Sequence, residues 1–107
     1  MSVDQEIIRT RCKEITESCN RLEEIALMPK ETFLQDQDTK DIASYRLLIA
    51  IEAGLSICYH YCSNKLNKVP DNYANCFQIL GDGKVISVDL SEKLQKMARF
   101  RNLLIHC

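Results

Sequence analysis

YRLLIAIEAGLSICYHYC, residues Tyr45–Cys62, is the most apolar stretch of the chain, and its only residues normally charged at neutral pH are Arg46 and Glu52. A helix apolar nearly all round belongs at the centre of a bundle or at a subunit interface. The segment extends at both ends, and the pattern predicts one long helix over about Thr39–Leu66. Asp38 or Thr39 supplies its N-cap after the polar turn Asp36–Thr39. Glu52 aligns with Tyr45, Leu48, Leu55 and Tyr59 on one face. A carboxylate in such surroundings is costly unless paired. An arginine is its natural partner, and Arg101 is the expected one; the alternative is an edge position with the carboxylate in water. Gly54 would let another helix approach closely.

Before this helix, Ile8, Cys12, Ile15, Cys19, Leu22 and Ala26 alternate steps of four and three. That spacing predicts an amphipathic helix over about Asp4–Met28, with Glu17 and Arg21 as an i,i+4 pair. Pro29 ends it. A short helix follows over Lys30–Gln35, anchored by Phe33 and Leu34. After the long helix, Asn67–Asp71 reads as a loop with Asp71 as N-cap. A short helix then runs to about Leu80, with Tyr73, Phe77 and Leu80 on one face and Gly81 as its stop. Lys84–Ser87 is a connector. Ser87 or Val88 opens the last helix, with Asp89 in its first turn.

The 107 residues suffice for one domain with one core, residues 1–107. Only 3 glycines and 2 prolines argue against a turn-rich β fold. The expected fold class is all-α: an up-and-down helical bundle with two long central helices and short accessory ones. No long uncharged apolar run and no secretory leader is read, so the expected location is cytoplasmic, without membrane association.

The 6 cysteines, Cys12, Cys19, Cys58, Cys62, Cys76 and Cys107, form no Cys-x-x-Cys pair. Cys12/Cys19 and Cys58/Cys62 sit at helical spacings, as small buried hydrophobes do. Reduced core thiols are expected. His60 and Cys62 point about 100° apart on a helix, so no metal site is expected there.

The net charge is −1. Proteins that hold nucleic acid by bulk electrostatics are strongly basic, so any polyanion site must be local. Lys93, Lys96, Arg99 and Arg101, all on the last helix, are the candidate phosphate-binding residues; the bland reading is a solvated helix face.

That helix ends in RNLLIH, Arg101–His106. Leu90, Leu94, Met97, Leu104 and Ile105 make one apolar stripe, and Arg101 falls on it where a hydrophobe is expected. Gln95, Arg99, Asn102 and His106 make a polar stripe, stacking Asn102 and His106 one turn apart. Arg101 lies between the two. Taken alone, an arginine there commonly snorkels and a histidine favours the helix dipole.

Arg101-Asn102-Leu-Leu-Ile-His106 resembles the Arg-x4-6-His motif of the HEPN superfamily. Within that superfamily the chain is similar to HepT-like toxins, which pair with a minimal nucleotidyltransferase antitoxin. The resemblance spans nearly the whole chain. It takes in the long first helix, Glu31–Leu34, Leu48–Ala53, the helix start at Pro70–Tyr73, Leu80-Gly81, and Lys96–Asn102 leading to His106. It implies a metal-independent endoribonuclease of a type VII-like toxin–antitoxin pair, needing no cofactor. Two Arg101/His106 sets would meet in a composite cleft of a homodimer, with Asn102 as a third catalytic group.

The implied chemistry is coherent. RNA carries its own nucleophile, the ribose 2′-OH. An imidazole with an ordinary pKa near ~6.5 takes its proton at neutral pH. A guanidinium grips the phosphate by two prongs and stabilises developing charge. The product would carry a 2′,3′-cyclic phosphate. In HepT-like proteins the motif continues as His-x-Tyr, the tyrosine being the adenylylation site. The sequence runs only to Cys107, one residue short, so either a short C-terminal tail is missing or the modification site is. The alternative function is a non-catalytic HEPN partner, a nucleotide- or substrate-binding subunit of a nucleotidyltransferase. A third is a purely structural dimer held by Arg101–Glu52.

Overall fold

The computed structural model describes residues 3–106. Five helices account for the regular structure among them: α1 (Gln5–Ala26), α2 (Lys30–Gln35), α3 (Gln37–Asn64), α4 (Tyr73–Asp82) and α5 (Val88–His106). The all-α class expected from composition is the one observed.

Capping sets the boundaries. The Asp4 carboxylate accepts from the backbone N–H groups of Glu6 and Ile7 and starts α1. Asp36, two to three residues ahead of the expected cap, accepts from the backbone and hydroxyl of Thr39 and starts α3. These bonds favour the ionised form and hold the Asp36 carboxyl below its usual range. Asn72 rather than Asp71 caps α4, accepting from the Asn75 N–H at 2.8 Å. The Ser87 hydroxyl accepts from Leu90 N–H at the start of α5.

α1 lies antiparallel along α3, with α2 folded across the turn between them; α4 and α5 form a second antiparallel pair seated on α3. The main core is the α3–α4–α5 seam: Ile51, Leu55, Cys58, Cys62, Cys76, Phe77, Leu80 and Ala98. His60 ties the end of α3 to the start of α1, accepting from the Asp4 backbone N–H at 2.8 Å through Nε2.

Several expectations are corrected by packing. α1 is rotated from its expected face: Cys12, Cys19 and Ala26 are exposed, whereas Ser18 and Ile25 are buried. Both stripes share Ile8, Ile15 and Leu22, and the rotation places the larger Ile25 in the core in place of Ala26. Arg21 pairs with Glu24 at 2.9 Å, not with Glu17, which faces Lys13 at 3.9 Å. On α5 the expected stripe holds at its middle, where Leu94 and Met97 pack on the core, but not at its ends. Leu90 and Ile105 are 43% exposed, and the buried positions are the small residues Ser91 and Ala98.

Gly81 does not stop α4 but lies within it, at a close helix crossing. A Cβ there would meet Ser91 Oγ at 2.6 Å and Ser91 Cβ at 2.7 Å. The Ser91 hydroxyl donates to the Phe77 carbonyl at 2.8 Å. α4 ends at Gly83, and Lys84 takes the left-handed conformation, φ 60°. Gly54 meets nothing of its own chain: a Cβ there has no neighbour within 4 Å.

The cysteines are not all reduced. Cys58 on α3 and Cys76 on α4 form a disulfide, and buried Cys62 stands with its sulfur 4.0 Å from that of Cys76. The three sulfurs lie within 4.8 Å of one another, a convergence from two helices that spacing along α3 could not reveal. Burial pushes the Cys62 thiol up, Lys68 opposing weakly. Cys107 lies outside the described residues.

α3 is long and apolar enough to cross a membrane by length and composition, its 18-residue window having a mean hydropathy of 1.4. Here it is the spine on which the other helices pack. Ile42 and Tyr45 near its start are exposed, and most of its other apolar residues are half-buried or buried.

Candidate active site

The site is built where α3, the start of α4 and the end of α5 meet. α5 carries Arg101 inward on the same face as Ala98, which is 1% exposed. The small methyl of Ala98 lets the helix sit close enough for the arginine one turn on to reach α3. Its Nε donates to Glu52 Oε1 at 2.5 Å. The Arg101 side chain is 17% exposed and that of Glu52 39%. The expected pair therefore forms, at the rim of the core where solvent still reaches the carboxylate.

Two further groups fix the guanidinium. Its carbon lies 4.5 Å from the centroid of the Tyr73 ring, a cation–π contact. Its NH2 reaches the Tyr73 hydroxyl at 3.5 Å, and NH1 donates to Asn102 Oδ1 at 3.3 Å. Tyr73 is the first residue of α4, placed by the Asn72 cap. Sequence reading put Tyr73 on the apolar face of α4 and did not assign it to the site. Its position beside a capping asparagine was the available signal.

Tyr59, two turns along α3 on the Glu52 face, meets Tyr73 edge-to-face, with centroids 5.8 Å apart and planes at 86°. Burial, then the neighbouring Tyr73 and Cys62, pushes the Tyr59 phenol up, keeping it a neutral hydroxyl.

The arrangement can hold an anion. Arg101 is charge-balanced through Nε, braced by an aromatic face, and presents its terminal nitrogens beside the exposed Asn102. A guanidinium oriented this way loses little conformational freedom on gripping a phosphate.

The other expected residues are more dispersed. Arg99 is exposed and lines a cleft of about 320 Å³ with Asn72, Tyr73, Ala98 and Asn102. Lys96 is exposed on α5. Lys93 is exposed and paired with Asp89 at 3.1 Å, more than two turns before Arg101. His106 is the last residue of α5, one turn beyond Asn102; its side chain lies outside the described part of the structure. A larger cavity, about 660 Å³, lies elsewhere, between the start of α1 and the end of α3, and contains none of these groups.

A family profile described as Ribonuclease HepT-like matches residues 15–107. Among solved structures, the chain is similar to a mutant form of the toxin–antitoxin MntA-HepT, with a TM-score of 0.85 and 25% identity over 94% of this chain and 76% of that one. It is likewise similar in fold to a toxin–antitoxin crystallised with AMP-PNP, with a TM-score of 0.87 and 24% identity over 95% of this chain and 76% of that one. No curated protein matches the chain.

Proposed function

Because the chain belongs to the HepT-like ribonuclease family, we propose that it is a metal-independent endoribonuclease, the toxin of a toxin–antitoxin pair. The observation that carries this reading is the Arg101 guanidinium held between Glu52, Tyr73 and Asn102, which leaves one N–H on each terminal nitrogen for a phosphate.

In this reading Arg101 grips the scissile phosphate and offsets charge developing on its oxygens. His106 removes the proton of the 2′-OH. The 2′ oxygen attacks phosphorus and the P–O5′ bond breaks, the 5′ oxygen taking a proton from water, which gives a 2′,3′-cyclic phosphate and a 5′-hydroxyl end. Asn102 keeps the guanidinium aligned and offers its amide N–H to the phosphate. Arg99 and Lys96 steer the flanking backbone; Lys93, already paired with Asp89, adds least.

The active unit is a homodimer. Phe100, just before the Arg101–His106 segment, and Leu103 and Ile105 within it are 46%, 62% and 43% exposed. Covering them with a second copy would bring two such segments together. The similarity to toxin–antitoxin assemblies supports a cognate nucleotidyltransferase antitoxin as partner.

The test is cleavage of mixed cellular RNA in EDTA, wild type beside His106→Ala, with product ends analysed. Cyclic-phosphate ends from wild type and at least 100-fold slower cleavage by the variant are expected for loss of a general base. Equal cleavage by His106→Ala would remove that residue from the mechanism. Restored activity on mixing His106→Ala with Arg101→Ala chains would support a composite site.

A further inference from the structure

Beside Arg101, the start of α4 and the end of α5 leave a cleft of about 350 Å³ lined by Tyr59, Asp71, Asn72, Tyr73 and Asn102. We propose that this cleft is a nucleobase subsite selective for guanine, next to the phosphate held by Arg101. The proposal rests on the ribonuclease reading and extends it to base preference.

The donors and acceptors can be assigned without ambiguity. Asn72 Oδ1 must accept from the Asn75 N–H, and Asn102 Oδ1 must accept from the Arg101 guanidinium. Each amide therefore keeps its NH2 group for other partners at the cleft its residue lines, and neither NH2 donates to another group among the described residues. Asp71 is exposed, and its backbone N–H is already bound to Asn75 Oδ1 at 2.9 Å, which fixes the turn from which its carboxylate projects. The cleft thus offers two N–H donor groups and one two-oxygen acceptor.

Guanine alone among the four bases presents two neighbouring donors, N1–H and the 2-amino group, to a carboxylate, with the O6 acceptor beside them for an amide. Adenine and cytosine place an acceptor next to their amino group, where a carboxylate oxygen would be repelled. Uracil has one donor between two acceptors. Tyr59 and Tyr73 line the cleft, so a base entering it meets aromatic side chains, which proteins that bind single-stranded RNA commonly use. Asn102 touches both Arg101 and the cleft, so base and phosphate sites are contiguous, as in one nucleotide.

The experiment is equilibrium binding of the four nucleoside 3′-monophosphates to the full chain, with inorganic phosphate as a base-free probe. Guanosine 3′-monophosphate should bind about tenfold tighter than the other three. Asp71→Asn should bring the four within about twofold while leaving phosphate affinity unchanged. Asn72→Asp, which keeps the helix cap but replaces the NH2 donor, should also weaken guanine binding. Equal affinities in wild type, or a guanine preference that survives both substitutions, would overturn the subsite. Mapping cleavage ends separates this proposal from its premise. Cutting without base preference removes the subsite and keeps the ribonuclease. Guanine-selective binding without cutting keeps the subsite and removes the ribonuclease.

Discussion

Arg101 is useful because of what restrains it. An unrestrained surface arginine would pay rotamer entropy to bind a phosphate; this one is held by a carboxylate, an aromatic ring and an amide. Lysine cannot reproduce that geometry, since an ammonium has no planar fork to meet Glu52 and a phosphate together. Arg101→Lys is expected to lower RNA cleavage by about 100-fold despite retained charge, as for loss of one transition-state donor. Glu52→Gln keeps the shape but not the charge. Because Glu52 is 39% exposed, solvent screens the pair, and a stability loss of only about 1 kcal/mol is expected in denaturant melts. A KM rise in that variant with little change in kcat would mark Glu52 as a positioning residue; wild-type kinetics would make it a purely structural partner.

At the scale of elements, the seam between α4 and its neighbours carries two devices. One is the Gly81–Ser91 crossing, where a methyl group would lie 2.7 Å from the Ser91 Cβ. Gly81→Ala gains helix propensity but overpacks the crossing, and a net loss of about 1–3 kcal/mol is expected. Stability equal to or above wild type would mean that α5 can shift outward freely. The other device is the Cys58–Cys76 disulfide, which closes an 18-residue separation between α3 and α4. Chain-entropy arguments give such a loop about 3 kcal/mol. Melting under reducing conditions, with thiol titration to show that the bond has opened, should therefore fall by roughly 10 °C or more. An unchanged melting temperature would show that packing at the seam makes the cross-link redundant. Because α4 begins with Tyr73, whatever loosens this seam also loosens the shelf under Arg101.

At the scale of the whole molecule, the chain is elongated, 48 × 26 × 24 Å, with a radius of gyration of 15.4 Å. A globular chain of this length would have a value near ~13 Å. Apolar groups stand at this surface: Ile42 and Tyr45 on α3 and Phe100 and Leu103 on α5 are exposed, and Gly54 has open space before it. A second copy is the occupant that the proposed composite site requires. Leu103→Asp, at a 62% exposed position, should leave monomer helicity intact, shift sedimentation toward monomer, and reduce cleavage in proportion. A monomer that still cleaves at the wild-type rate would show that one chain holds a complete site.

Sequence alone determined what local physics dictates. Five helices, their order and the bundle class follow from periodicity, from Pro29 and from the polar breaks, because each helix must bury an apolar stripe. Glu52–Arg101 was also legible, because a carboxylate in an apolar helix and an arginine on an apolar stripe each demand a partner. Tertiary packing decided the rest. It chose Ser18 and Ile25 over Cys19 and Ala26 on α1, because neighbouring stripes share one period and only contact with α3 distinguishes them. It put Ser91, Ala98 and Gly81 at the closest approaches, which hydrophobicity patterns overlook since small residues signal little by themselves. And it brought Cys76 to Cys58 and Tyr73 to Arg101, pairings between separate helices that no spacing along the chain encodes.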